Sequence, residues 1–385
     1  MEEQLWLACR FGSVEEVRKL LQNPQLNINW QNESNYPYGT PFYNACFKGH
    51  IEIMRLLLND QRVDINKPNN DGSTPFYIAC DKGQIDIVKL LLNDQRADVN
   101  KGDSLGQMPG VTPSYIACKN GHIQVMKELL NVNRVDINKA TNDGCTPFLI
   151  ACNKGHIDIV KLLLNDNRVD INKATNDGCT PFLTACSKKK IEIAKLLLSD
   201  QRVDINKAKW DGETPFYSAC EKGFFEIVKI LLNDKRVVDS DINNADKYGE
   251  TPFYIACNKG HIDIVKLLLN DQRVDINKAD YLGWTPFDIA CENGHIEIVK
   301  CFLAHGREGD INKKNKYFRK TALDIARERG NREKYSWESE KDFQKMKEKD
   351  AEIVRLIELF QKSQHERFKL RKQLLVGMII FLNID

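Results

Sequence analysis

The sequence predicts an all-α solenoid of short repeats, and three observations carry that prediction. The motif Thr-Pro-Phe, two variable residues and Ala-Cys keeps returning, with its threonine at Thr40, Thr74, Thr112 (where Ser114 replaces the phenylalanine), Thr146, Thr180, Thr214 and Thr251. These threonines stand 34, 38, 34, 34, 34 and 37 residues apart, and Thr285 and Thr321 continue the series after 34 and 36 more. Nearly every unit carries a short apolar segment, a glycine, and a second apolar segment, both at helical spacing. Self-similarity at such a period marks arrays in which each unit contacts only its neighbours. Residues 3–12 (EQLWLACRFG) align with the first segment without its Thr-Pro, which gives about ten repeats with atypical ends, as end caps should be.

Residues 71–100 show how one repeat is built. Asp71-Gly72 makes a turn whose glycine accepts positive φ, and Thr74 offers its hydroxyl as a helix cap. Pro75 suits the first helical position. Phe76, Ala79 and Cys80 fall on one face, where small Ala and Cys let a neighbouring helix approach. Gly83 ends this helix in the left-handed conformation. Ile85, Ile87, Val88, Leu90, Leu91 and Leu92 then make a second helix apolar on most sides, which repeats before and after it must cover. Val99-Asn100 leads into the next loop.

On these residues the chain strongly resembles the ankyrin-repeat family from its start to about Phe360. The resemblance implies a solenoid of antiparallel helix pairs joined by protruding β-turn or hairpin loops, with partners bound on the concave surface formed by loop tips and first helices. Three features depart from the family pattern. The fourth motif residue, usually histidine, is Tyr43, Tyr77, Tyr115, Leu149, Leu183, Tyr217, Tyr254 or Asp288, so packing is expected to replace the histidine's hydrogen bonds. The usual Gly-Ala-Asp after the second helix becomes Asn-Asp-Gln-Arg-Val-Asp in several repeats, one residue longer. Lys189 stands where most repeats place the helix-ending glycine, at a cost of about 1 kcal/mol if its backbone is left-handed. Local fraying is expected between residues 180 and 200. The Leu58 and Asp64-Ile65-Asn66 pattern also resembles what asparagine hydroxylases accept in such repeats.

Insertions at Asn32–Tyr38, Leu105–Gly110, Val238–Ser240 and Tyr317–Arg319 map to loops. Residues 331–350 form a densely charged insert carrying Tyr335, Trp337 and Phe343, read as a solvated excursion or an extended helix. The array is therefore assigned to residues 1–360 and a basic, then apolar, tail to 361–385. That tail is expected to cap the last repeat, with contact to an anionic membrane surface as the alternative.

The chain's composition excludes several functions. Lys plus Arg exceeds Asp plus Glu by only two, which gives no reason to invoke nucleic acid. Neither a secretion signal nor a run approaching ~20 apolar residues is present, so a soluble, cytoplasmic monomer is expected. Nine of the twelve cysteines, from Cys9 to Cys291, share one repeat position. Stacked helices lie roughly 8–10 Å apart, beyond the ~7 Å limit for a disulfide, so these thiols are expected reduced and buried. Cys145 and Cys179, in the loops before Thr-Pro, are the two expected to react. His50, His122, His156, His261 and His295 run along the array without converging on a metal site. No HExxH, GxSxG, phosphate-loop or dinucleotide motif occurs, so no catalytic residue, metal or cofactor is expected.

By the resemblance, partner contacts come from residues flanking the loop glycine and from the end of the first helix. There Lys48, Lys82, Lys154, Lys188, Lys222 and Lys259 form a line of cations, thickened by Lys189 and Lys190 and opposed by Asp71, Asp143, Asp177 and Asp211 at the loop tips. Trp210, Tyr248, Tyr281 and Trp284 fall on loop tips of repeats seven to nine, with Phe224 replacing the histidine after Gly223. Residues 135–149 and 169–183 are identical, so repeats five and six present one finger twice, which argues against a tuned contact there. The expected site covers repeats six to nine: Lys154, Lys188, Lys189, Trp210, Lys222, Phe224, Tyr248, Lys259, Tyr281 and Trp284. The expected function is a non-catalytic scaffold or adaptor for an extended acidic or mixed protein segment. Membrane recruitment through the tail and regulation of a separate enzyme are the alternatives.

Overall fold

The computed structural model describes residues 1–32, 38–103, 110–305, 312–335 and 338–382, with only the backbone described for residues 367, 368 and 370–382. The chain forms two compact units, Met1–Lys209 and Trp210–Asp385. The insertions at Asn32–Tyr38 and Leu105–Gly110, like Trp337, lie largely or wholly outside the described residues.

Unit 1 holds six helix pairs: α1 (Glu2–Phe11) and α2 (Val14–Leu21), α3 (Pro41–Lys48) and α4 (Ile51–Leu58), α5 (Pro75–Asp81) and α6 (Ile85–Asn93), α7 (Pro113–Asn120) and α8 (Ile123–Leu130), α9 (Pro147–Lys154) and α10 (Ile157–Leu164), α11 (Pro181–Ser187) and α12 (Ile191–Ser199). Odd-numbered helices pack on odd, even on even, and each pair packs internally. Unit 2 holds four pairs: α13 (Pro215–Glu221) and α14 (Phe225–Leu232), followed by the short α15 (Asp239–Ile242) in the insertion after residue 237; α16 (Pro252–Lys259) and α17 (Ile262–Leu269); α18 (Pro286–Glu292) and α19 (Ile296–His305); α20 (Ala322–Asn331) and α21 (Glu340–Leu382). Each unit is thus an all-α stack of antiparallel helix pairs, and the described residues contain no β-strand.

Capping explains why the first helices begin where they do. From Thr40 to Thr321, each motif threonine accepts a hydrogen bond from the backbone N–H three residues on, as Thr146 does from Leu149 at 3.1 Å. At α18 and α20, Asp288 and Asp324 complete a reciprocal capping box. The loop tips are tight turns: Thr141 N–H donates to the Cys145 carbonyl at 3.0 Å, with Gly144 at φ +83. Lys189 does adopt the left-handed conformation, φ +57, because the same turn must be made without glycine.

Two side-chain devices join consecutive repeats. Arg96 forks onto Asp94 at 2.7 Å and donates to the Leu58 carbonyl, the last residue of α4, at 2.8 Å. Arg62, Arg168, Arg202 and Arg273 likewise fork onto the aspartate two residues before and reach a carbonyl of the preceding repeat, each supplying an orphan helix-end acceptor with a donor. Asn66 accepts from Asp98 N–H at 2.8 Å and donates to the Arg96 carbonyl at 2.7 Å, and Asn29, Asn100, Asn138, Asn172 and Asn243 repeat that bridge. Its carboxamide is therefore held at both ends, whatever its resemblance to a hydroxylation pattern.

The inner face of each pair is apolar, and the nine in-register cysteines are buried within it. Burial pushes these thiols far above the usual thiol range, as at Cys118 and Cys186. The charged insert is resolved at its C-terminal end as the start of α21, which runs without a break from Glu340 through residue 360. It packs on α19 and α20 and buries Phe343, Ile353 and Ile357.

Candidate partner interface

In unit 1, Lys154, Lys188 and Lys189 are exposed at and just beyond the ends of α9 and α11. Earlier members of the lysine line are partly satisfied from within. Lys82 lies 3.3 Å from Asp81, and the Lys48 and Lys82 ammonium groups sit 5.5 and 5.4 Å from the centre of the Phe47 ring. Lys190 takes the histidine position and donates to the Lys154 carbonyl at 3.4 Å. Exposed pairs of this kind leave a weak, locally compensated field.

The histidines explain why glycine ends the first helices. His122 Nε2 lies 2.8 Å from the Asp81 carbonyl, and because a carbonyl only accepts, that nitrogen carries the proton. His50, His156, His261 and His295 make the same link one repeat back. A Cβ on Gly260 would meet His295 at 2.6 Å, so at this position glycine answers both a close approach and a φ of +80. Partial burial pulls His295 below the usual imidazole range.

In unit 2, Trp210, Tyr248 and Tyr281 are 84 %, 60 % and 68 % exposed on successive loop tips. Backbone bonds hold the tips side by side: Lys247 N–H donates to the Asp211 carbonyl at 2.7 Å, and Tyr281 N–H to the Tyr248 carbonyl at 3.0 Å. The Lys247 ammonium lies 5.0 Å from the Tyr248 ring. Lys222, paired with Glu221 at 2.9 Å, and Lys259 are exposed at the ends of α13 and α16, while Phe224 is half-buried. Trp284 is also half-buried, set edge-on against Phe318 with ring centres 5.9 Å apart. It belongs to the wall of the last repeat more than to the row of open tips.

Behind the tips, the tyrosines that replace the family's histidine use their hydroxyls. Tyr217 donates to Glu250 at 3.3 Å and Asp246 at 3.4 Å, and Tyr254 donates to Asp280 at 3.4 Å. Packing alone was expected here. The phenol's extra length lets it reach the acidic loop of the following repeat, which an imidazole at that site would not. Burial, followed by the neighbouring carboxylates, pushes both phenols up, and burial raises the Glu250 carboxyl.

The two loop thiols are not activated. Burial pushes Cys145 up to about 11 and also raises Cys179, which lies 3.3 Å from the Thr184 hydroxyl, so neither has the depressed pKa of a reactive thiol. Among the described residues, no group of His, Cys, Asp and Glu side chains is placed to hold a metal ion, and no helix is long and apolar enough to cross a membrane. Sequence reasoning missed the tyrosine–carboxylate contacts and the role of Phe318, since both depend on which loops become neighbours.

Comparison with known families returns a model described as Ankyrin repeats (3 copies), which matches residues 5–103, 114–209, 167–246, 199–280, 235–315 and 273–336. No curated protein matches the chain.

Proposed function

Because this chain belongs to the ankyrin-repeat family, whose repeats are generally protein–protein interaction modules, we propose that it is a non-catalytic scaffold that holds a protein partner against the loop tips of unit 2. The observation that carries this reading is the row of three exposed aromatic residues, Trp210, Tyr248 and Tyr281, on adjacent tips. Large exposed rings with few rotatable bonds serve as anchors because burying each one removes much apolar area from water at little entropic cost. The tips are held by backbone hydrogen bonds, so little ordering remains to be done on binding. Lys247 and Asp211 stand on the same tips, and Lys222 and Lys259 are exposed at the ends of α13 and α16, a mixture that suits an extended segment of mixed charge.

Affinity capture from source cells tests this reading, using wild type beside a Trp210→Ala, Tyr248→Ala, Tyr281→Ala variant, both checked for folding by circular dichroism. Specific loss of one protein from the variant is expected, and an unchanged partner list would overturn the assignment to these tips. A second reading, recruitment to an anionic membrane, rests on the continuation of α21 to Leu382 through the basic and apolar tail sequence. Cosedimentation with anionic vesicles, comparing the full chain with one ending at residue 360, separates the two; equal behaviour of both chains sinks the membrane reading.

A further inference from the structure

Between the last two repeats of unit 2 lies a cleft of about 460 Å³, bounded by the loop ahead of α18, the ends of α18 and α20, and the start of α21. Three rings line it: Trp284, its edge-on neighbour Phe318, and Tyr335. Phe318 and Tyr335 are each 54 % exposed, so apolar ring surface is open to solvent.

The cleft's charges are unevenly paired. Lys320 contacts Glu328, Arg329 lies 3.1 Å from the buried Asp350, and Arg332 lies 2.5 Å from Glu338 while stacking 4.7 Å from the Tyr335 ring centre. Every cation lining the cleft thus has a carboxylate of its own. Glu292, at the end of α18, makes no hydrogen bond or ion pair among the described residues; partial desolvation raises its carboxyl against the opposing pull of Arg329 and Lys320, each of which is in ion-pair contact with another carboxylate. An anion entering here would have to displace a carboxylate already in place. A cation would meet a carboxylate that is in no ion pair, beside the exposed ring surface of Phe318, the two kinds of group that stabilise a desolvated positive charge.

We propose that this cleft takes a lysine or arginine side chain of an extended partner segment, with Glu292 as its counter-ion and Trp284, Phe318 and Tyr335 as its walls. The volume is ample for one long side chain. Its long methylene stem would lie against the rings while the charged head reaches Glu292. The identity of the ligand as part of a protein rests on the scaffold reading; the cleft's preference for a cation does not.

The test uses the full chain labelled with ¹⁵N at its five tryptophan indoles, with the Trp284 signal assigned through Trp284→Phe. The chain is titrated with N-acetyl-arginine amide, N-acetyl-lysine amide, N-acetyl-norleucine amide and N-acetyl-glutamate amide. Saturable movement of the Trp284 signal with the two basic amides, weakened about fivefold or more in Glu292→Gln, is expected. The remaining indole signals, unchanged in Glu292→Gln, report that the variant is folded. An equal response to norleucine amide would make the cleft merely apolar, a response to glutamate amide would make it an anion site, and an undiminished response in Glu292→Gln would remove its counter-ion. Each of these outcomes, or no saturable shift at all, overturns the proposal. Because the probes are single residues, failure here leaves capture at Trp210, Tyr248 and Tyr281 unaffected, and failure of that capture leaves the titration intact.

Discussion

Lys189 occupies a backbone conformation, φ +57, that its glycine counterparts adopt without a Cβ penalty. Replacing it with glycine removes that penalty, and Lys189→Gly is expected to raise the unfolding free energy of the chain by about 1 kcal/mol in urea titration. An unchanged or lowered midpoint would mean that the lysine side chain offsets the strain through its own contacts. The same position shows how far local sequence rules reach. The break in a periodic glycine pattern was visible in the chain, and the structure places the strain where the break lies. The expectation that Cys145 and Cys179 react first divides between them, because Cys145 is buried and Cys179 only half-buried. Their position in loops was legible, but reactivity depends on how deeply the neighbouring repeats bury the sulfur.

At the scale of elements, α21 closes the last repeat on α19 and α20 and carries Asp350 into the interface, where it is 1 % exposed and its carboxylate oxygens receive no well-aligned hydrogen bond. Burial pushes its carboxyl up from 3.8 to about 6, against the opposing pull of Arg329 and Arg332 and with the repulsion of Glu292. A group that holds its proton more tightly when folded stabilises the fold at low pH, and that contribution is lost as pH rises from the unfolded value towards the folded one. The difference in unfolding free energy between wild type and Asp350→Asn is therefore expected to change between about pH 4 and pH 6 and to be flat above. Chemical denaturation at a series of pH values checks this, and a pH-independent difference would mean that Asp350 titrates normally. The buried pair could not have been read from the sequence: the charged run 331–350 lacks apolar periodicity, and only the packing of α21 shows which of its acids turns inward.

Over the whole molecule, the nine in-register cysteines are buried in their units, and burial raises the pKa of each thiol. Their modification thus requires opening of the repeat that holds them. Pulsed alkylation of native protein followed by mass spectrometry is expected to label Cys301 and Cys179, both half-buried, before any of the nine, and to label the nine only as denaturant approaches the unfolding transition. Rapid native labelling of Cys118 or Cys257 would contradict the packing described here. The repeat architecture and this thiol pattern share one cause. Every repeat but the last, where Ala326-Arg327 stands instead, uses the same Ala-Cys step to let first helices approach, so a single sequence position sets the chemistry of nine sites.

By itself the sequence determined the repeat, its period, the threonine caps, the glycine turns and the burial of the cysteines. Each depends on interactions within one repeat or between identical neighbours, and periodicity exposes those directly. Only the tertiary structure decided which side chains from different repeats meet: the arginine forks onto preceding helix ends, the tyrosine hydroxyls on the following acidic loops, Trp284 against Phe318, and the unpaired Glu292 among paired charges. Such contacts join residues about 30 to 40 positions apart whose identities vary from repeat to repeat. Their pairing is fixed by the stacking geometry, which no single repeat encodes.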